Sequence, residues 1–169
     1  MSPKENPVGR PGNYDNARAI EKHVIHIQKI LAWVSSTSSD REKWGRKKKF
    51  FRQSTDDYLS FLIPTHSRVL CLGSGDGATL ASVNPSDGVG VDLDRASITQ
   101  ARERYPHLKF VLGDVEDPEV LRSLNEHGPF DVILLADTLG YLDDIQNFLA
   151  CVRQLCTPET RLVSVYYGY

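Results

Sequence analysis

Apolar positions divide the chain into two rhythms. After Tyr14, residues Ile20, Val24, Ile27, Leu31 and Val34 recur at steps of three and four, the spacing of one helix face. The small polar run Ser35–Asp40 is expected to break that helix, and a second helical segment is read over Arg41–Leu62, stopping before Pro64. From Arg68 short apolar runs take over: Val69–Leu72, Val89–Val91, Leu108–Leu112, Val132–Ala136 and Leu162–Tyr166. Amphipathic stretches separate them. One has Asp117 as N-cap and Pro118 at the first helical position; another starts at Asp143 or Asp144 and carries Ile145, Phe148, Leu149, Val152 and Leu155. Val132–Ala136 is apolar throughout, as a strand covered on both faces requires. The alternation predicts an α/β fold: three layers, doubly wound, with a mainly parallel sheet and an N-terminal helical segment. Residues 1–13, with three prolines, two glycines and no apolar period, read as a mobile tail. Residues 14–64 read as a helical cap, and 65–169 as the α/β domain.

Chemistry enters at the ends of the strands, where open parallel sheets bind ligands. The first run passes directly into Gly73-Ser74-Gly75-Asp76-Gly77-Ala78. Glycines there permit a sharp bend and a close approach of ligand to main chain. Read as G-x-G-x-x-A the loop fits a dinucleotide; read as G-x-G-x-G it fits the nucleoside loop of methyltransferases. Asp92 ends the second run, 19 residues after Gly73. Its carboxylate can accept from both hydroxyls of a ribose, which suits either cofactor. The third run ends in Gly113-Asp114-Val115. An acid beside an apolar side chain at that place can accept from an adenine amino group while the apolar group covers the ring. Three strand ends then describe one nucleoside across the sheet edge. The competing reading of Asp114 is a turn residue before Asp117.

With these motifs in place, residues from about Thr65 to Tyr167 resemble a class I S-adenosylmethionine-dependent methyltransferase, a Rossmann-like fold. The resemblance rests on Val69–Gly77, Gly90–Asp94, Leu112–Val115 and Phe130–Asp137 in this order and spacing. It implies S-adenosylmethionine as cofactor, with Gly73, Ser74 and Gly75 at its methionine part, and Gly77 closing the loop. Asp92 would take the ribose, and Leu93, Asp114 and Val115 the adenine. Asp137 would stand near the methionine moiety and the reacting methyl. No catalytic base is visible. The sequence departs from the family at Cys71, where members usually carry Asp or Glu. It also departs in length, since the family's sheet continues beyond the fifth strand. The last strands are therefore expected to be lacking, and a homodimer partner or a further C-terminal segment to cover the fifth-strand edge. By the same resemblance, residues 14–64 are expected to supply part of the acceptor site.

Charge and composition narrow the acceptor. Net charge is −2, but residues 1–67 carry 12 Lys/Arg against 7 Asp/Glu, and the remainder the opposite balance. Arg41–Arg52 holds seven cations, with Trp44, Phe50 and Phe51 interleaved. It reads as a solvated helix face, since one basic turn on an acidic chain is a poor nucleic-acid footprint. A small-molecule or glycan-type acceptor is expected. Three cysteines without C-x-x-C spacing read as buried apolar residues of a reducing, cytoplasmic compartment. Among the five histidines, His23 and His26 read as surface helix positions, and no metal site is expected. Two alternatives stand: an NAD(P)-binding oxidoreductase domain, and a non-catalytic methyltransferase-like scaffold.

Overall fold

The computed structural model describes residues 17–43 and 45–166, with side chains described over 20–36 and 53–166. The expected tail, Tyr167, Tyr169 and the side chains of the basic stretch lie outside them.

Two helices precede the sheet, α1 (Ala17–Lys43) and α2 (Gly45–Leu62). The break expected at Ser35–Asp40 does not occur. Serine in a helix costs only a few tenths of a kcal/mol relative to alanine, and the Ser36 hydroxyl folds back to the Trp33 carbonyl at 2.9 Å. The expected apolar stripe of α1 is only partly covered. Ile27, Leu31 and Val34 are half-buried, whereas Ile20 and Val24 remain exposed.

The remaining elements alternate: β1 (Arg68–Leu72), α3 (Ala78–Ser82), β2 (Asp87–Asp92), α4 (Arg95–Arg104), β3 (Lys109–Leu112), α5 (Pro118–Ser123), β4 (Val132–Ala136), α6 (Ile145–Val152) and β5 (Arg161–Val165). Aspartates set three of the helix starts. Asp94, Asp117 and Asp144 each accept from backbone N–H groups of the turn that follows. All strand pairs are parallel, in the order β3-β2-β1-β4-β5.

Strand side chains alternate between two apolar layers. Leu70, Leu72, Val89, Val91, Ile133 and Leu135 pack with Leu121 of α5 and with Phe148 and Val152 of α6. Val69, Cys71, Val132 and Leu134 face the other way. They meet Leu59 and Ile63 at the end of α2, Leu80 of α3, and Ile98 and Ala101 of α4. This is the expected three-layer fold. Cys71 is fully buried, and burial pushes its thiol up to about 12, with the charge of Asp92 adding to the shift. It therefore serves as an apolar core residue. Cys151 and Cys156 are half-buried and, like Cys71, free.

Strand order reverses between β1 and β4, so a crevice opens beyond their carboxyl ends. At the opposite side β5 is the edge strand. Leu162 is 48% exposed there, with Tyr166 next to the strand at 62%. Leu134 is fully buried in the central part of the sheet. Leu134→Ala is expected to destabilise the protein by about 2–5 kcal/mol, read as a lower urea midpoint at unchanged slope. A midpoint equal to that of the parent would contradict the packing described.

Candidate functional site

The turn after β1 is fastened to β2 before any ligand is considered. Gly73 and Ser74 both donate their N–H to the Val91 carbonyl, at 2.8 and 2.9 Å. Gly75 N–H donates to Asp92 Oδ2 at 2.7 Å, and Asp94 N–H to Asp92 Oδ1 at 2.8 Å. The carboxylate is thus fixed in orientation, and it retains lone pairs for two further donors. Burial pushes the Asp92 carboxyl above its usual range, against the pull of the Asp94 and Gly75 N–H groups.

Two glycines of the loop do different things. Gly75 has φ +53°, and a Cβ there would meet nothing within 4 Å, so its bare side faces open space. Gly77, φ +78°, caps α3, and a Cβ would come within 2.6 Å of the Phe110 ring. Ser74 is buried beneath the loop. Its hydroxyl faces Gly90, where a Cβ would lie 2.7 Å away, and it has no hydrogen-bond partner among the described residues.

One cavity of about 270 Å³ collects the strand ends, near the lower limit for small-molecule pockets. Gly73 and Gly75 reach it from β1, Asp92 and Leu93 from β2, Asp114 and Val115 from β3, and Asp137 from β4. The structure therefore brings together seven of the nine residues expected from sequence. Ser74 and Gly77 lie away from the cavity lining and shape the loop from below. Asp137 takes φ +58°, a conformation that aspartate tolerates better than most residues, and its N–H bonds the Val165 carbonyl at 2.9 Å. The next residue, Thr138, donates its hydroxyl to the Leu72 carbonyl at 2.7 Å and ties the ends of β1 and β4 together.

The cavity has a wall that the strand ends do not supply. Ile27, Ile30, Trp33 and Val34 of α1 line it opposite the sheet, with Tyr141 and Leu142 from the segment after β4. Trp33 and Tyr141 are in ring contact, centroids 5.6 Å apart. Two histidines join α1 to the rim. His23 Nε2 donates to Asp114 Oδ2 at 2.8 Å, and His26 Nε2 to the Tyr141 carbonyl at 2.8 Å. The sequence reading missed both. The available signal was their spacing, since positions 23, 26, 27, 30 and 34 share one helix face.

Glu116 was also missed. Its two oxygens accept three bonds from the Asp143 and Asp144 N–H groups, at 2.8 to 3.0 Å, and hold the start of α6 against the β3 loop. Ligand atoms of His23, Asp114 and Glu116 come within 4.8 Å of one another. With the Glu116 oxygens taken by backbone donors and His23 on Asp114, the group is a hydrogen-bonded junction of three segments.

Fold and cavity together define a parallel α/β domain whose strand ends share one cavity. A family model described as a methyltransferase domain matches residues 70–162, more than half of the chain, and the protein belongs to that family. Over 89 residues it is 42% identical to the ribosomal RNA large subunit methyltransferase E of Syntrophobacter fumaroxidans; the match covers 48% of this chain and 42% of that protein. The chain thus spans less than half the length of that relative. Among solved structures it resembles DesVI of Streptomyces venezuelae, with TM-score 0.62 and 20% identity over 80% of this chain and 58% of the other. It also resembles a TehB-like SAM-dependent methyltransferase from Corynebacterium glutamicum, with TM-score 0.56 and 21% identity over 75% and 72%. At such identity these two likenesses speak for the fold. No helix among the described residues is long and apolar enough to cross a membrane.

Removing the Glu116 carboxylate should leave part-buried N–H groups without this partner. Glu116→Ala is expected to cost about 1–3 kcal/mol and to speed amide hydrogen exchange at Asp143 and Asp144. Unchanged exchange there would show that the junction does not depend on Glu116.

Proposed function

We propose that this chain is an S-adenosylmethionine-dependent methyltransferase whose acceptor is a small molecule, including glycan-type compounds. The observation that carries this reading is the convergence of Gly75, Asp92 and Asp114 on one cavity in a member of the methyltransferase family. The residues present fit the cofactor. The open side of Gly75 leaves a cradle that any side chain would fill, and Asp92 offers an oriented carboxylate beside it. Gly73 and Gly75 would border the methionine part, Asp92 the ribose, and Leu93, Asp114 and Val115 the adenine. Asp137 would stand by the methionine moiety.

When bound, the cofactor supplies a methyl group already activated on a sulfonium. The chain's task is then to bind, to orient the acceptor and to keep water out. The wall formed by Ile27, Ile30, Trp33, Val34, Tyr141 and Leu142 suits the last two tasks. Among the described lining residues there is no Lys or Arg, while Asp92, Asp94, Asp114, Glu116 and Asp137 all contribute carboxyl groups. Such a cavity repels phosphate and favours neutral or cationic acceptors. The identity to a ribosomal RNA methyltransferase supports a second reading, an RNA acceptor. The acidic lining argues against it. Three free cysteines support a reducing, cytoplasmic setting.

Calorimetric titration tests the cofactor directly. S-adenosylhomocysteine is expected to bind, and NADH to fail to compete. Asp92→Ala should weaken binding by about 1.5–3 kcal/mol, the loss of hydrogen bonds to a charged group. Tight NADH binding without S-adenosylhomocysteine binding would overturn the reading, and so would an Asp92→Ala affinity equal to that of the parent. Labelled methyl transfer into small-molecule pools rather than RNA is the expected acceptor result.

A further inference from the structure

We propose that His23 is a positioning residue that seats α1 as the wall of the cavity, by bridging one carboxylate from each of two loops. Its Nε2 donates to Asp114 Oδ2 at 2.8 Å, on the loop after β3. Its Nδ1 lies 3.8 Å from Asp143 Oδ2, on the segment leading into α6. A neutral imidazole has one N–H, which serves Asp114; the imidazolium adds a second N–H and a charge within ion-pair reach of Asp143. The arrangement therefore suits a charged ring.

Apolar packing leaves this pin much to do. No residue of α1 whose side chain is described is fully buried. Ile20, Val24 and Ile25 are 50, 48 and 44% exposed. A helix so thinly covered belongs to the low-stability end of a fold, where one polar junction can decide whether it stays docked. On the same face as His23, one to three turns further along, Ile27, Ile30 and Val34 reach the cavity. Seating the helix at His23 sets where they stand. His26, one turn on, supports the same placement through the Tyr141 carbonyl.

The groups facing the ring are Asp114 and Glu116 on the β3 loop and Asp143 before α6. Partial burial opposes the charged form. The hydrogen bond and charge of Asp114, with the charges of Glu116 and Asp143, outweigh it, so the His23 pKa is raised. A raised imidazole value means that the stabilisation is fully present below the ordinary value of about 6.5. It is lost as pH rises through the value of the docked ring. Docking of α1 thus weakens on the alkaline side.

The test needs no ligand, so its failure would leave the methyltransferase reading intact, and failure of that reading would leave this one intact. The chain has two tryptophans, and Trp44→Phe leaves Trp33, in ring contact with Tyr141, as the sole reporter of α1. Its fluorescence is followed from about pH 5 to about pH 9, a window spanning the imidazole range. The parent should show one transition to longer wavelength, centred above about 6.5. His23→Gln keeps one donor at similar reach but neither the charge nor the second donor of the imidazolium, so it should match the parent's high-pH emission throughout. His23→Ala should show the high-pH emission throughout. A His23→Ala protein that retains the parent's transition would overturn the proposal. So would a His23→Gln protein that retains the parent's low-pH emission.

Discussion

Everything at the rim depends on the Asp92 carboxylate. It stands at the end of β2 and accepts from Gly75 N–H on one oxygen and from Asp94 N–H on the other. One side chain therefore sets the turn after β1, the turn after β2 and its own orientation toward the cavity. Burial makes this expensive, as the raised pKa records, and the two charge-assisted bonds offset the penalty. A preset rim binds without spending affinity on ordering, as a site assembled only on binding would.

Opposite the rim the physics is different. The sheet is held by layers of fully buried Leu, Val and Ile, whereas α1 rests on half-buried side chains and a few polar contacts. The floor of the cavity is thus tightly packed and its wall lightly held. The polar contacts fall where the wall crosses the strand ends, at Asp114 and at the Tyr141 carbonyl. Asp114 thus lines the cavity and at the same time holds α1.

Much of the fold was legible because its signals are local. Short apolar runs marked the five strands to within two residues, and Asp117-Pro118 marked the start of α5. The strand-end glycines and aspartates were legible as one cluster because a parallel sheet gathers the carboxyl ends of its strands at one edge. What escaped notice depends on contacts distant in sequence. Ser74 was placed at the ligand by its neighbours in the loop, yet the backbone turns its hydroxyl toward Gly90. His23 lies 91 residues from Asp114, and nothing near it in sequence announces a partner. The serine run was mistaken for a break because local propensity is weak, and a hydroxyl bonded to its own helix removes the competition that would end it.

The central claim is that a single adenosyl group lies across the ends of β1, β2 and β3. Amide chemical shifts of the isotope-labelled chain, followed during titration with S-adenosylhomocysteine, test it most directly. The account predicts that Gly75, Leu93, Asp94 and Val115 move together along one saturation curve. Shifts that leave these amides still while others saturate would contradict it.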